Sequence, residues 1–168
     1  MSPEPWLRGT RTETPAVVRA VLHAIDQALE NIASWTEGLS DEQIETAPYT
    51  LPSIGFHLRH LAGALDRSLT YAAGSPLSEE QFAYLAGEKT GTGLGRAALL
   101  EQLRASAARA EARLIALAAA DFEAPRTIGR KHLPTTLGGI VVHIADHTQR
   151  HTGQIISTAK LLKALAAG

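Results

Sequence analysis

Residues 135–162 read TTLGGIVVHIADHTQRHTGQIISTAKLL, and the architecture of the chain turns on how they are read. Ile140, Ile144, Ile155 and Leu162 recur at helical spacing and cluster on one face at about 100° per residue. Thr135 or Thr136 supplies an N-cap, so the stretch predicts a helix over 136–165. The same helix spends three of the chain's seven histidines at a strict spacing of four: His143, His147 and His151. Side chains four apart are neighbours on one helix face, so an adjacent pair can chelate one metal ion. All three cannot do so together. Residues eight apart are separated by about 12 Å along the axis, whereas metal–nitrogen bonds are about 2 Å long. On the helical wheel His151 falls near the middle of the apolar face, His147 toward its edge, and His143 further round, beside Asp146 and Arg150. The inward pair is His147 with His151, leaving His143 at the rim.

Outward from this helix, three more long helical segments are predicted, over 14–37, 53–73 and 95–120. Alanine and leucine dominate and aromatics are only 5%, a composition that favours helix over strand. Thr14 can cap the first helix, with Pro15 in its first turn and an apolar row of Val17, Val21, Ile25, Leu29 and Ile32. Ser53 caps the second, whose row is Ile54, Leu58, Leu61, Leu65 and Leu69. A short helix is expected over 78–85. The stretch EAPRTIGRKHLPTT, with two prolines and a glycine, reads as irregular or as a small hairpin. The fold expected is all-α: an antiparallel four-helix bundle with a short extra helix between its second and third long helices, as one domain over 1–168.

Bulk properties narrow the function classes. Of 168 residues, 45% are apolar and 20% charged, with a formal net charge of −1. No basic excess is present to hold a phosphate backbone, so nucleic acid is not the expected partner. No apolar run is long enough to span a membrane, and the N-terminal stretch does not read as a signal peptide, so a cytoplasmic location is the expectation. There is no cysteine, hence no protein thiol nucleophile.

The second helix, SIGFHLRHLAGALDRSLTY, carries His57 and His60. Periodicity places His57 nearer the Leu58/Leu65 face and His60 on a side row with Phe56, Ala64 and Tyr71. His23 reads as a satisfied, partly buried histidine. His132 reads as a solvated loop residue, or as one over the mouth of a site. Asp66 and Asp146 read as surface carboxylates, either of which can instead orient a histidine, and Gln154 as a polar edge residue or a bond across to the second helix.

Together, SIGFHLRHLAGALDRSL and LPTTLGGIVVHIADHTQRHTGQI resemble the DinB-like, YfiT-related four-helix-bundle metalloproteins, with PWLRGT and PSIGFH matching one bacterial subgroup. The resemblance covers nearly the whole chain. It implies a three-histidine metal site whose members map to His60, His147 and His151, so it selects His60 where periodicity favours His57. His57, His143, Gln154 and Asp146 are the candidates around those ligands. Three imidazoles leave a coordination position open, the plan of a catalytic rather than a structural zinc site. Zinc or nickel is the expected ion, since imidazole suits both. Such an ion lowers the pKa of bound water toward ~7 and deprotonates a coordinated thiol. The expected functions are a low-molecular-weight-thiol-dependent transferase or a metal-dependent hydrolase acting on a small molecule. A non-catalytic metal-binding bundle for sensing, storage or protein interaction is the alternative. A homodimer is expected, because alanine-dense helix faces leave apolar surface over and the resemblance points the same way.

Overall fold

The computed structural model describes residues 3–167; residues 1, 2 and 168 lie outside the described part of the expected domain. Four long helices carry the mass: α1 (Ala16–Trp35), α3 (Ile54–Ala72), α5 (Arg96–Ala116) and α6 (Leu137–Ala167). Between them lie two short helices, α2 (Asp41–Glu45) and α4 (Glu79–Gly87), and an antiparallel hairpin of β1 (Pro125–Ile128) and β2 (Leu133–Thr136), in register Pro125↔Thr136 to Ile128↔Leu133. The all-α expectation is corrected by that hairpin, and α2 was not foreseen. Among the described residues no helix is long and apolar enough to cross a membrane.

Local chemistry explains the boundaries. Ser53 caps α3 as expected, accepting the Phe56 N–H at 3.0 Å. Thr14 does not cap α1; Pro15 holds the cap position without a side-chain bond. Ser40 and Gln43 form a reciprocal capping box that nucleates α2, and Ser78 with Gln81 repeats it at α4. Gly74 ends α3 in the left-handed region, φ +76°, where a glycine has no Cβ to clash.

Four helix contacts close a ring: α1 with α6, α6 with α3, α3 with α5, and α5 with α1. The core between them holds Ile54, Leu58, Leu61, Leu65 and Leu69 of α3, all as expected, and Ile140, Ile144, Ile155 and Leu162 of α6. On α1 the buried row is Val18, Val21, Leu22, Ile25, Ala28 and Ile32. Val17 is exposed instead, and Val18, one residue on, takes the buried position at the start of the row.

Cross-helix bonds give the directions. Gln149 donates to the Ala24 carbonyl, and Lys160 lies over the Trp35 ring, so residue numbers rise together and α1 and α6 run parallel. Ser106 donates to the Ala62 carbonyl, and Arg113 pairs with Asp66, so α3 and α5 are also parallel. His57 meets His151 while His60 meets His147, an antiparallel pair. Arg96 donates to Ala33 O, whereas Glu111 shares Arg11 with Asp26, so α1 and α5 are antiparallel. The expected antiparallel bundle is therefore corrected: along the chain the long helices run up, down, down, up. The cause is α4, which travels back along α3 from Thr70 toward His60, returning the chain to the end where α3 began.

Candidate metal centre

The antiparallel contact of α3 with α6 faces two pairs of histidines toward each other. His60 Nε2 lies 3.1 Å from His147 Nε2, and His57 Nδ1 lies 3.0 Å from His151 Nδ1. One ring nitrogen from each of His60, His147 and His151 lies within 4.8 Å of the other two. Phe56, one turn before His60, stacks on its ring at 5.5 Å between centroids, walling one side. A cavity of about 450 Å³ lined by Phe56, Ser53, Glu45 and Lys89 adjoins that wall.

Burial and mutual proximity govern charge. Burial pushes His147 down to about 3, reinforced by the neighbouring rings of His151, His60 and His143. His57 and His151 are each pushed down to about 4, again first by burial and then by nearby positive charge. These rings are neutral at physiological pH, with lone pairs available to a cation.

Two charged residues from outside the pair of helices complete the arrangement. Glu88, at the end of α4 and only 2% exposed, accepts from His60 Nδ1 at 2.7 Å and from Arg67 Nη1 at 2.6 Å. Its backbone carbonyl accepts from Arg59 Nε at 3.1 Å, and Arg59 also makes a two-pronged bond with Glu45 of α2. Arg59 thus ties both short helices to α3 beside the histidines.

The donor set fits a divalent ion. Donors bound about 2 Å from one ion lie roughly 3 Å apart, the separation of the His60 and His147 nitrogens. A carboxylate on the far nitrogen is the usual support for a metal-binding histidine ring, and Glu88 stands in that place beside His60 Nδ1.

The sequence model of the DinB superfamily matches residues 24–155. The chain belongs to that family. A conserved protein from Enterococcus faecalis has the same fold, with a TM-score of 0.71 at 20% identity over 88% of this chain and 98% of its own. YfiT from Bacillus subtilis, described as a probable metal-dependent hydrolase with an unusual four-helix bundle topology, superposes with a TM-score of 0.65 at 16% identity over 87% of each chain. No curated protein matches by sequence.

Within this DinB-superfamily chain the candidate residues sort as follows. His60, His147 and His151 converge. His57 joins the cluster through His151 and is 2% exposed, against 19% for the His60 ring. Periodicity pointed to the more buried histidine, because periodicity reports burial rather than convergence. On α6 the fully buried residues of the middle turns are Thr148 and Thr152; His147 and His151 flank that row on the side facing α3, rather than centring it. His143 is 47% exposed and 5.4 Å from the His147 ring, at the rim as expected. Gln154 stands close enough to His151 to favour its charged form slightly and, among the described residues, makes no bond across to α3. Asp146 touches no member of the trio: it pairs with Arg150 at 2.6 Å and approaches His143 at 3.8 Å. Asp66 is engaged by Arg113 and Gln81. His23 is buried and bonded to Thr10, as expected. His132 sits in the hairpin turn, beside Tyr71 and Phe82, away from the cluster, so it guards no mouth.

Sequence reasoning missed Glu88, Arg67, Arg59 and Glu45. A signal existed in α3: Arg59 and Arg67 stand one turn either side of Gly63, a buried basic row that demands carboxylates from elsewhere. Nothing local marked Glu88 as the carboxylate that answers it.

Proposed function

We propose that this protein is a metal-dependent enzyme in which His60, His147 and His151 hold one divalent ion, zinc or nickel, with a coordination position open to a small molecule. The convergence of three ring nitrogens within 4.8 Å carries this reading. A divalent ion there supplies a Lewis acid that activates bound water or a bound thiol. The chain's own residues do the rest. His57 Nδ1 lies 3.0 Å from His151 Nδ1, so with His151 donating there and His57 accepting, Nε2 of the His151 ring is left for the ion. Phe56 excludes water from one side, and the exposed ring of His143 is placed to pass a proton between the site and solvent.

Hydrolysis is the first reaction proposed, supported by the description of YfiT. Transfer involving a low-molecular-weight thiol is the second, and the thiol must come from outside because the chain has no cysteine. A cytoplasmic location and a homodimer belong to the same proposal; exposed Val17 and Trp35 on α1 with Val142 and Leu165 on α6 are apolar surface available to a second copy.

Metal analysis of alanine variants tests the ligand set. His60→Ala, His147→Ala and His151→Ala each lose most of the bound ion, while His143→Ala retains it. Loss in His143→Ala with retention in His151→Ala would show the wrong pair. A screen of esters, amides and other electrophiles, with and without added thiol, then separates hydrolysis from thiol transfer. A protein that binds the ion and turns over none of them is the non-catalytic bundle.

A further inference from the structure

We infer that Glu88, oriented by Arg67, is a positioning residue that decides which ring nitrogen of His60 carries the proton. The inference rests on the metal reading for its consequence, but its geometry stands alone. The two oxygens of Glu88 are divided: Oε1 accepts from Arg67 Nη1 at 2.6 Å and Oε2 faces His60 Nδ1 at 2.7 Å. A carboxylate only accepts, so the His60 ring donates from Nδ1, and whenever the ring is in its neutral form Nε2 is a bare lone pair. That Nε2 is the nitrogen 3.1 Å from His147 Nε2, where the three rings converge. The bond from the Arg59 side-chain Nε to the Glu88 backbone carbonyl holds the end of α4 beside His60.

Arg67 makes the arrangement directional. A guanidinium has donors and no acceptor, so whatever occupies position 88 must turn an acceptor toward it. In Glu88→Gln, nearly the same shape, the amide oxygen must face Arg67, and the amide NH2 then faces His60 Nδ1. His60 is forced to accept at Nδ1 and to carry its proton on Nε2, at the very point where an ion would need the lone pair. A conservative change that leaves packing intact therefore closes the site. Replacing Arg67 as well, in Glu88→Gln/Arg67→Met, frees the amide to rotate its oxygen toward His60 and restores the original proton position.

The test uses the full chain and zinc(II). Long-range nitrogen–proton NMR of the metal-free protein reads the proton position on His60; zinc affinity is read by competition with a chromophoric chelator. The expected results are Nδ1–H in the wild type, Nε2–H in Glu88→Gln with zinc bound about 10- to 100-fold more weakly, and a return of both toward the wild type in the double variant. An Nε2–H wild-type ring overturns the inference without any variant. So does a folded Glu88→Gln that binds zinc within twofold of the wild type, or a folded double variant that recovers neither property. A wild type with Nδ1–H on His60 that binds neither zinc(II) nor nickel(II) defeats the metal reading alone, leaving the role of Glu88 in placing the proton intact.

Discussion

His57, His147 and His151 spend their burial on being neutral, and this makes the metal-free protein acid-sensitive in a defined window. Each ring has a folded value pushed down to about 3 or 4, against 6.5 in an unfolded chain. Well above pH 6.5 neither state holds these protons and the rings contribute no pH dependence. As pH falls below 6.5 the unfolded chain takes up protons that the folded rings refuse, so stability declines until the folded rings themselves protonate near pH 3 to 4. In denaturant melts of chelated protein between pH 8 and 4, the contribution of these rings should therefore begin to fall near pH 7 and steepen below pH 6.5. The fall from pH 6.5 to 4.5 should be shallower in His147→Ala, by the uptake of up to about one proton. Equal slopes in wild type and variant would show that His147 titrates normally. His57 and His60 illustrate what is legible at this scale: both were visible as candidates, but their different tasks depend on which ring each meets across the helix contact.

At the scale of elements, α4 is the piece that shapes the site. It carries Glu88 to α3, and Gly63 makes room for it. A Cβ at position 63 would lie 2.5 Å from Arg67 Nη1, 2.6 Å from Glu88 Oε1 and 2.6 Å from Tyr84 Cε1. These atoms are tips of side chains, but the first two are bonded to each other and Arg59 holds the Glu88 carbonyl, so they cannot yield independently. Gly153, on the exposed face of α6, has nothing within 4 Å of the same added atom. Both positions are mid-helix, where alanine is favoured over glycine by roughly 0.5–1 kcal/mol. Gly153→Ala should thus stabilise the protein by about that amount, whereas Gly63→Ala should destabilise it by about 1–2 kcal/mol as overpacking outweighs propensity. Thermal melts give the sign. Two variants shifted alike would mean that α4 is loosely seated and moves aside without cost.

For the whole molecule, the up, down, down, up course leaves α1 and α6 side by side and parallel. Both helices expose large apolar side chains, Val17 and Trp35 on one and Val142 and Leu165 on the other. Covering them in a homodimer should give a light-scattering mass of two chains of 17.9 kDa each. Val142→Lys should shift the population toward single chains, since a buried lysine without a partner is unfavourable. A single-chain mass at every concentration in the wild type would remove the dimer from the proposal.

What the sequence by itself determined was local: the four long helices, the Ser53 cap, the apolar rows of α3 and α6, and the inward pairing of His147 with His151 on one helix face. These follow from periodicities and capping chemistry that act within a few residues. The family resemblance added His60. Only the tertiary structure decided the rest. The directions of the helices depend on the return of α4 along α3, a matter of where a long connection travels rather than of any local pattern. The surroundings of the histidines depend on Glu88, Arg67, Arg59 and Glu45, which stand on three separate elements. A carboxylate in a polar loop and an arginine on a helix look the same in sequence whether solvated or buried; packing removes their water and makes each the other's necessary partner.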